Sequence, residues 1–247
     1  MTTSKKIIGL IPSRLESKRL KHKPLLILDG LPLIVHTYKR SMLSQKIDEV
    51  YVCTDSNKII KVLKKYGCKF IKTKKNFNNG TERIASVRKS FKKVELFIDI
   101  QGDEPLVRPN DIDDVITFHR KNKKFDIVVP CIETKKTNTK NIVKIIKNNN
   151  KVIYMTRLDA PCDFNKRTKY YKHLSVISFK PNSLSNFSKL KKGEIETTES
   201  IELMRAIENN LQVGTFESKS DSFSIDIKKD YLKAKLKIKK DKFRQLY

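Results

Sequence analysis

Short apolar runs alternating with segments of helical spacing constrain this chain more than any other feature. Lys6 to Pro12 reads as a buried first strand, and after it Ile34, Val35, Tyr38 and Met42 recur at helical spacing within Leu31 to Leu43. Val50 to Cys53 is a short second strand, followed by a basic helix from Asn57 to Tyr66 that Gly67 closes. Phe70-Ile71 is a weak strand. The helix after it opens at Asn79-Gly80-Thr81-Glu82-Arg83, with Thr81 placed to cap it, and runs to about Phe91. A strand through residues 97–105, a helix from Pro109 to about Lys121 and a strand from Asp126 to Pro130 complete the series. Alternation of this kind builds βαβ crossovers and so an α/β fold around a mostly parallel sheet.

Beyond residue 132 the pattern changes. Val143 to Ile146 and Val152 to Met155 read as a hairpin across an Asn-rich turn, and Tyr170 to Phe179 as a further strand. A helix from Glu199 to Asn209, strands at Leu211 to Phe216 and Phe223 to Ile227, and a basic helical stretch from Lys228 to Tyr247 follow. No repeat and no linker rich in Pro, Gly or Ser interrupts the chain. The β-rich insertion after about residue 132 therefore belongs to the same domain.

The nine residues Phe97-Ile98-Asp99-Ile100-Gln101-Gly102-Asp103-Glu104-Pro105 carry the sharpest chemical signal. An apolar strand breaks off at Gln-Gly, presents two carboxylates, and is stopped by Pro105. Asp103 then stands at the carboxyl end of a buried strand, where open α/β sheets bind ligands. A carboxylate there suits Mg²⁺, which usually takes one or two carboxylates together with substrate phosphates. An acidic turn with no ligand fits these nine residues equally well.

Between Pro12 and Pro24 the chain carries five cations, Arg14, Lys18, Arg19, Lys21 and Lys23. At the end of strand one they form a plausible triphosphate cradle, or else an ordinary solvated basic loop. The loop lacks the glycines of a P-loop or a dinucleotide fingerprint, so side chains must do what backbone amides do there. Gly80 and Thr81 open a helix whose free N–H groups suit an anion or a base edge, or are simply capped beside a surface Glu82–Arg83 pair. Asp226 lies near a late strand end, separated from Asp103 by most of the chain. His22, His36 and His119 read as structural or surface residues, while His173, among aromatics in a strand, fits either a site or a core role.

The net charge of +27 raises nucleic-acid binding as a possibility. Only eleven of the 54 basic residues are Arg, the better residue for bidentate phosphate and base recognition, and the lysines are spread along the whole chain. A basic nucleic-acid-binding protein is thus the remote alternative, and no nucleic-acid partner is expected. No apolar run is long enough to span a membrane, and the N-terminal apolar stretch is too short and too soon followed by charge for a signal peptide. The four scattered cysteines form no CxxC pair. Neither a zinc site nor a disulfide framework is indicated, and a reducing cytoplasm is the expected compartment.

Taken in order, these segments resemble the 3-deoxy-manno-octulosonate (Kdo) cytidylyltransferases. The resemblance covers nearly the whole chain. It rests on Ile11-Pro12-Ser13-Arg14 with Ser17, Arg19-Leu20 and Lys23-Pro24-Leu25; on Thr54-Asp55; on Gly80-Thr81-Glu82-Arg83; and on Gln101 to Pro105. Val143-Lys144, Tyr154 with Arg157, His173, Glu196 to Arg205, and Asp226 extend it. No one motif decides the matter, but the ordered set is specific.

The resemblance implies a Rossmann-like nucleotidyltransferase fold, with a nucleotide-binding part over about 1–131 and a sugar-binding and dimerisation part over about 132–222. It also implies a homodimer and the Mg²⁺-dependent reaction of CTP with Kdo to give CMP-Kdo and pyrophosphate, for lipopolysaccharide or capsule synthesis. Arg14, Arg19 and Lys23 would hold the triphosphate, with Arg14, Lys23 and Asp103 at the reaction centre. Thr54, Asp55, Gly80, Thr81 and Gln101 would face the nucleotide. Asp103 and Asp226 would bind the metal, and Arg157, His173 and Glu199 would lie near the sugar acid.

Three departures stand out. Lys21-His22 replaces the family's Pro-Gly before the loop lysine, so the turn is made without glycine's tolerance of positive φ. The segment Asp159 to Lys169 is short and lacks the usual aromatic-Asp-Arg ending. Asp226 lacks the customary Gly before it and Thr-Pro after it. The second departure touches the sugar side, which keeps 8-amino-Kdo and sialic-acid-like nonulosonates open as alternative substrates.

Overall fold

The computed structural model describes residues 5–17, 19–165 and 168–247; Met1 to Ser4, the loop cation Lys18, and Lys166 and Arg167 lie outside them. The chain packs as two compact units, residues 1–113 with 222–247 and residues 114–221. The change of pattern near residue 132 falls inside the second unit, within the strand Ile127–Thr134.

The first unit is a parallel α/β layer. Lys6–Ser13 pairs with Glu49–Thr54 on one side and Val94–Ile100 on the other, and Phe70–Lys72 extends the Glu49–Thr54 edge, every pair being parallel. Pairing on both edges explains why Lys6–Ser13 is buried almost throughout and reads as an unbroken apolar run. Across the sheet the four strands stand fourth, first, second, third, which is half of a doubly wound fold. The helices follow local rules. In Asn57–Lys65 the Ser56 hydroxyl caps the Ile59 N–H, Ile59 and Leu63 are buried, and Gly67 ends the segment at φ +66.

Several expectations are corrected in this unit. The helix placed from Leu31 begins at Leu33, because Ile27–Leu28 and Leu31–Pro32 first form a minimal hairpin. Asp29 and Gly30, both at positive φ, make its turn. The cap of Gly80–Val87 is Asn79, whose side chain accepts from the Glu82 N–H, and Thr81, the second helical residue, is fully buried. Phe223 to Ile227 is extended but unpaired as a strand. Its Ile225 is drawn into a cluster with Leu28, Leu33, Ala234 and Ile238, and burial there replaces sheet pairing. The Lys228–Ile238 helix follows as expected.

The second unit is β-rich and mixed. Its strands run in the order Tyr170–His173, Lys144–Asn148, Lys151–Thr156, Val213–Glu217, Ile127–Thr134, Val176–Phe179. Val213–Glu217 lies parallel to Ile127–Thr134, while Tyr170–His173 with Ile127–Thr134 and Lys144–Asn148, Val176–Phe179 with Ile127–Thr134, Val213–Glu217 with Lys151–Thr156, and Lys144–Asn148 with Lys151–Thr156 pair antiparallel. The Asn-rich hairpin is present, with Asn149 at φ +50. The strand read from Tyr170 to Phe179 divides at Leu174-Ser175. The helix read from Glu199 resolves into Glu194–Glu199 and Met204–Glu208, separated by Ser200 at φ +54. A buried Glu196–Arg205 pair at 2.7 Å ties those two turns together.

Candidate active site

The strand order of the first unit reverses between Lys6–Ser13 and Val94–Ile100, and a cavity of about 430 Å³ opens where both strands end. Pro12, Ser13 and Arg14 line it from the first strand, and Gln101, Gly102 and Asp103 from the fourth. Gly102 is obligatory at this junction, since a Cβ there would sit 2.8 Å from the Pro12 carbonyl oxygen. The turn that follows is braced from behind. Fully buried Arg40 donates from Nε to the Val107 carbonyl at 2.7 Å and from Nη2 to the Leu106 carbonyl at 3.2 Å, and pairs with Asp241 at 3.1 Å.

Three segments distant in sequence meet in this cavity. Lys23 Nζ donates to Asp103 Oδ2 at 2.7 Å and to Asp226 Oδ1 at 3.3 Å, and Arg19 Nη2 donates to Asp226 Oδ1 at 2.9 Å. The Ile225 N–H on the Asp103 carbonyl, at 3.0 Å, anchors the Asp226 segment. The Ile225 cluster, against which Leu20 and Leu26 also pack, holds the Lys23 turn beside it. His22 supplies that turn by adopting φ +53 itself. The loop therefore uses the left-handed conformation without glycine. The Lys23 side chain is 13% exposed, whereas Arg14 is exposed and has no hydrogen-bond or ion-pair partner among the described residues.

The opposite wall is built on the first turn of Gly80–Val87. Gly80, Asn78, Asn79 and Phe77 line the cavity with Arg83. The Arg83 side chain is buried, not a surface partner of Glu82. It pairs with Asp55 at 2.9 Å, donates to the Thr73 hydroxyl, and stacks 5.4 Å from the Phe77 ring. Glu82 instead reaches back to the N–H of Asn78. Arg14, Arg19, Lys23, Gly80, Gln101, Asp103 and Asp226 thus share one cavity, whereas Thr54, Asp55 and Thr81 do not line it, Asp55 being tied to it through its pair with Arg83. Of the further lining residues, Arg83 lies inside the helix-start motif and Phe77 and Asn78 directly precede it, and that motif is the sequence signal that points to them.

Arg157 and Glu199, assigned to the sugar side, come together in the second unit. Glu199 accepts from the Thr156 hydroxyl at 2.7 Å and from the Arg157 N–H at 2.9 Å. Arg157 donates to the carbonyls of Glu199, Lys140 and Ser200 at 2.7, 2.8 and 3.0 Å. Beneath them the fully buried Lys144 ammonium donates to the Thr139 and Arg157 carbonyls and pairs with Asp159 at 3.1 Å. Desolvation opposes the Asp159 carboxylate, but N–H donors of Asn138 and Thr137 and the Lys144 ammonium hold its pKa well below the usual range. His173 belongs to Tyr170–His173, across Lys144–Asn148 from the strand that Arg157 follows, and among the described residues no hydrogen bond or ion pair joins it to Arg157 or Glu199. Burial, with a smaller contribution from Lys172, lowers its pKa to about 4. His36 and His119 are buried brackets, His36 between the Leu28 carbonyl and the Tyr247 hydroxyl, and His119 between Ser178 and the Phe125 carbonyl.

Comparison with known proteins shows the family. Residues 8–220 match the cytidylyltransferase family. A 3-deoxy-manno-octulosonate cytidylyltransferase of Chlorobium phaeobacteroides is 35% identical over 87% of this chain and 90% of its own. One of Leptospira interrogans is 33% identical over 92% and 93%. Among solved structures, a CMP:2-keto-3-deoxy-manno-octonic acid synthetase complexed with CTP superposes with a TM-score of 0.91 at 27% identity, covering 95% of this chain and 99% of that one.

Proposed function

The chain belongs to the cytidylyltransferase family and is a nucleotidyltransferase, and on that premise we propose that it activates Kdo, joining the CMP of CTP to the sugar acid and releasing pyrophosphate with Mg²⁺ as cofactor. The observation that carries the reading is the meeting of Asp103 and Asp226 on one ammonium in the switch-point cavity. Nothing in a solvated loop or a bare acidic turn requires those segments to converge.

The donor set suits Mg²⁺. Among the described residues no group of three or more His, Cys, Asp or Glu could cage an ion. Two carboxylates completed by substrate phosphates are the usual magnesium arrangement. Bound to Asp103 and Asp226, the ion would neutralise charge at the α-phosphate.

The physical problem is an anionic sugar acid approaching a more highly charged nucleotide. The anomeric oxygen forms its bond to the α-phosphorus as the bond to pyrophosphate breaks, so the protein must position and neutralise. Arg14, exposed and unpaired, meets the incoming triphosphate, and Arg19 and Lys23 stand beside it. Arg157, His173 and Glu199 are assigned to the sugar acid. Three backbone carbonyls already occupy Arg157, leaving two of its five N–H hydrogens for a carboxylate.

A homodimer is part of the proposal. Ile153, Leu158 and Phe164, at 51, 63 and 89% exposure, give the second unit apolar surface for it. Four free cysteines accord with a cytoplasmic setting, and lipopolysaccharide or capsule synthesis is the proposed use of the product. The test is pyrophosphate release and CMP-sugar mass with CTP, Mg²⁺ and a panel of Kdo, 8-amino-Kdo and a nonulosonate. Release dependent on Kdo and abolished by a chelator is expected. Turnover of another acid alone reassigns the substrate, and turnover of none removes the proposal.

A further inference from the structure

The Lys23 ammonium occupies the position between Asp103 and Asp226 that a divalent ion would need, within contact of both carboxylates at 2.7 and 3.3 Å. We infer that Lys23 is an internal counter-cation that keeps the metal position closed until a nucleotide triphosphate draws it away, so that metal enters with the nucleotide and not before it. The inference rests on the reading of these two aspartates as the metal carboxylates.

An ammonium and a divalent ion cannot share the same pair of oxygens, because their charges repel at contact distance. To admit metal alone, Lys23 must give up both carboxylates. The side chain is 13% exposed, so bulk water offers little compensation. Its other neighbours in the cavity include Arg14 and Arg19, which repel it further. Arg19 adds a second positive group on the Asp226 oxygen that Lys23 touches. Besides Asp103 and Asp226 the described lining holds one carboxylate, the exposed Glu16, and a bound triphosphate supplies a far more highly charged anionic partner to receive Lys23 as it leaves the two aspartates. By linkage the coupling is reciprocal: nucleotide strengthens metal binding, and metal strengthens nucleotide binding by the same factor.

The test is Mn²⁺ binding to the full chain, read by the electron paramagnetic resonance of free Mn²⁺, without nucleotide and then with CTP in the absence of sugar acid. Wild type is expected to bind Mn²⁺ weakly alone and at least about tenfold more tightly with CTP. Lys23→Met should bind Mn²⁺ alone about tenfold or more tightly than wild type and lose most of the gain from CTP. Lys23→Arg, which keeps the cation, should restore weak binding. Arg14→Met controls for removing a positive charge from the same cavity without touching the carboxylates, and should shift the affinity much less. Equal shifts in Lys23→Met and Arg14→Met, or wild-type binding as tight without CTP as with it, overturn the inference. If Asp103→Asn and Asp226→Asn leave Mn²⁺ binding unchanged in every background, the metal reading itself fails, a separate result.

Discussion

In the first unit Lys23 shares its ammonium between two carboxylates that front a cavity, and Arg14 stands nearby with no hydrogen-bond or ion-pair partner among the described residues. In the second unit Lys144 is completely buried and Arg157 commits three guanidinium nitrogens to backbone carbonyls. The residue types are the same and the tasks differ. Ion pairs facing a cavity can be exchanged for a charged ligand, because the ligand replaces the partners that are given up. A buried cation held by carbonyls cannot, because removing any partner leaves a desolvated charge. Substitutions at Asp103 and Lys23 should therefore change chemistry, and substitution of Lys144 should change stability.

The largest expected effect tests the first half of that contrast. Asp103→Asn should lower turnover by about two to three orders of magnitude, the scale of removing one preorganised electrostatic group, with the melting temperature little changed. Near-normal pyrophosphate release would break the comparison. Lys144→Met tests the other half. Urea unfolding should show a clear loss of stability, since the partly buried Asp159 carboxylate loses its cation and the Thr139 and Arg157 carbonyls lose their donor. A Lys144→Met protein as stable as wild type would show that the second region is no more committed than the first.

His173 sharpens the contrast through pH. Its folded pKa, about 4, lies below the ordinary value of 6.5, so the unfolded chain takes up the proton first. The stability this gives is complete above pH 6.5, falls as pH drops toward 4, and is level below that. Between pH 7 and 5 the loss should be on the order of 1–2 kcal/mol, and His173→Gln should remove that part of the slope in urea titrations. The smallest effect belongs to the Lys23 turn. His22→Gly relieves a non-glycine residue at φ +53 but loosens the unfolded chain, so stability should move by no more than about 1 kcal/mol. A large drop would show that the imidazole, not the backbone angle, secures the turn.

Much of the first region was legible because local rules wrote it. Unbroken apolar runs marked the strands that pair on both sides, and Gln101-Gly102-Asp103 marked where one of them ends. The Asp29-Gly30 hairpin was equally legible, but a helical pattern from Leu31 masked it. The second region was harder to read. The break at Leu174-Ser175 and the left-handed Ser200 leave little local trace; in the first region only Phe223 to Ile227 is comparably hidden, with a strand's composition and an apolar cluster for a partner.

By itself, then, the order of apolar runs and turns determined an α/β layer and an acidic residue at a strand's carboxyl end, because periodicity and chain-breaking residues act over a few positions. Which charges meet was decided only in three dimensions. Asp103, Asp226 and Lys23 converge because Gly102 admits the Pro12 carbonyl and Ile225 is pulled into the cluster around Leu28. The burial of Lys144, and with it the difference between a charge that can leave its partner and one that cannot, likewise depends on solvent exclusion by distant segments. No local pattern encodes it.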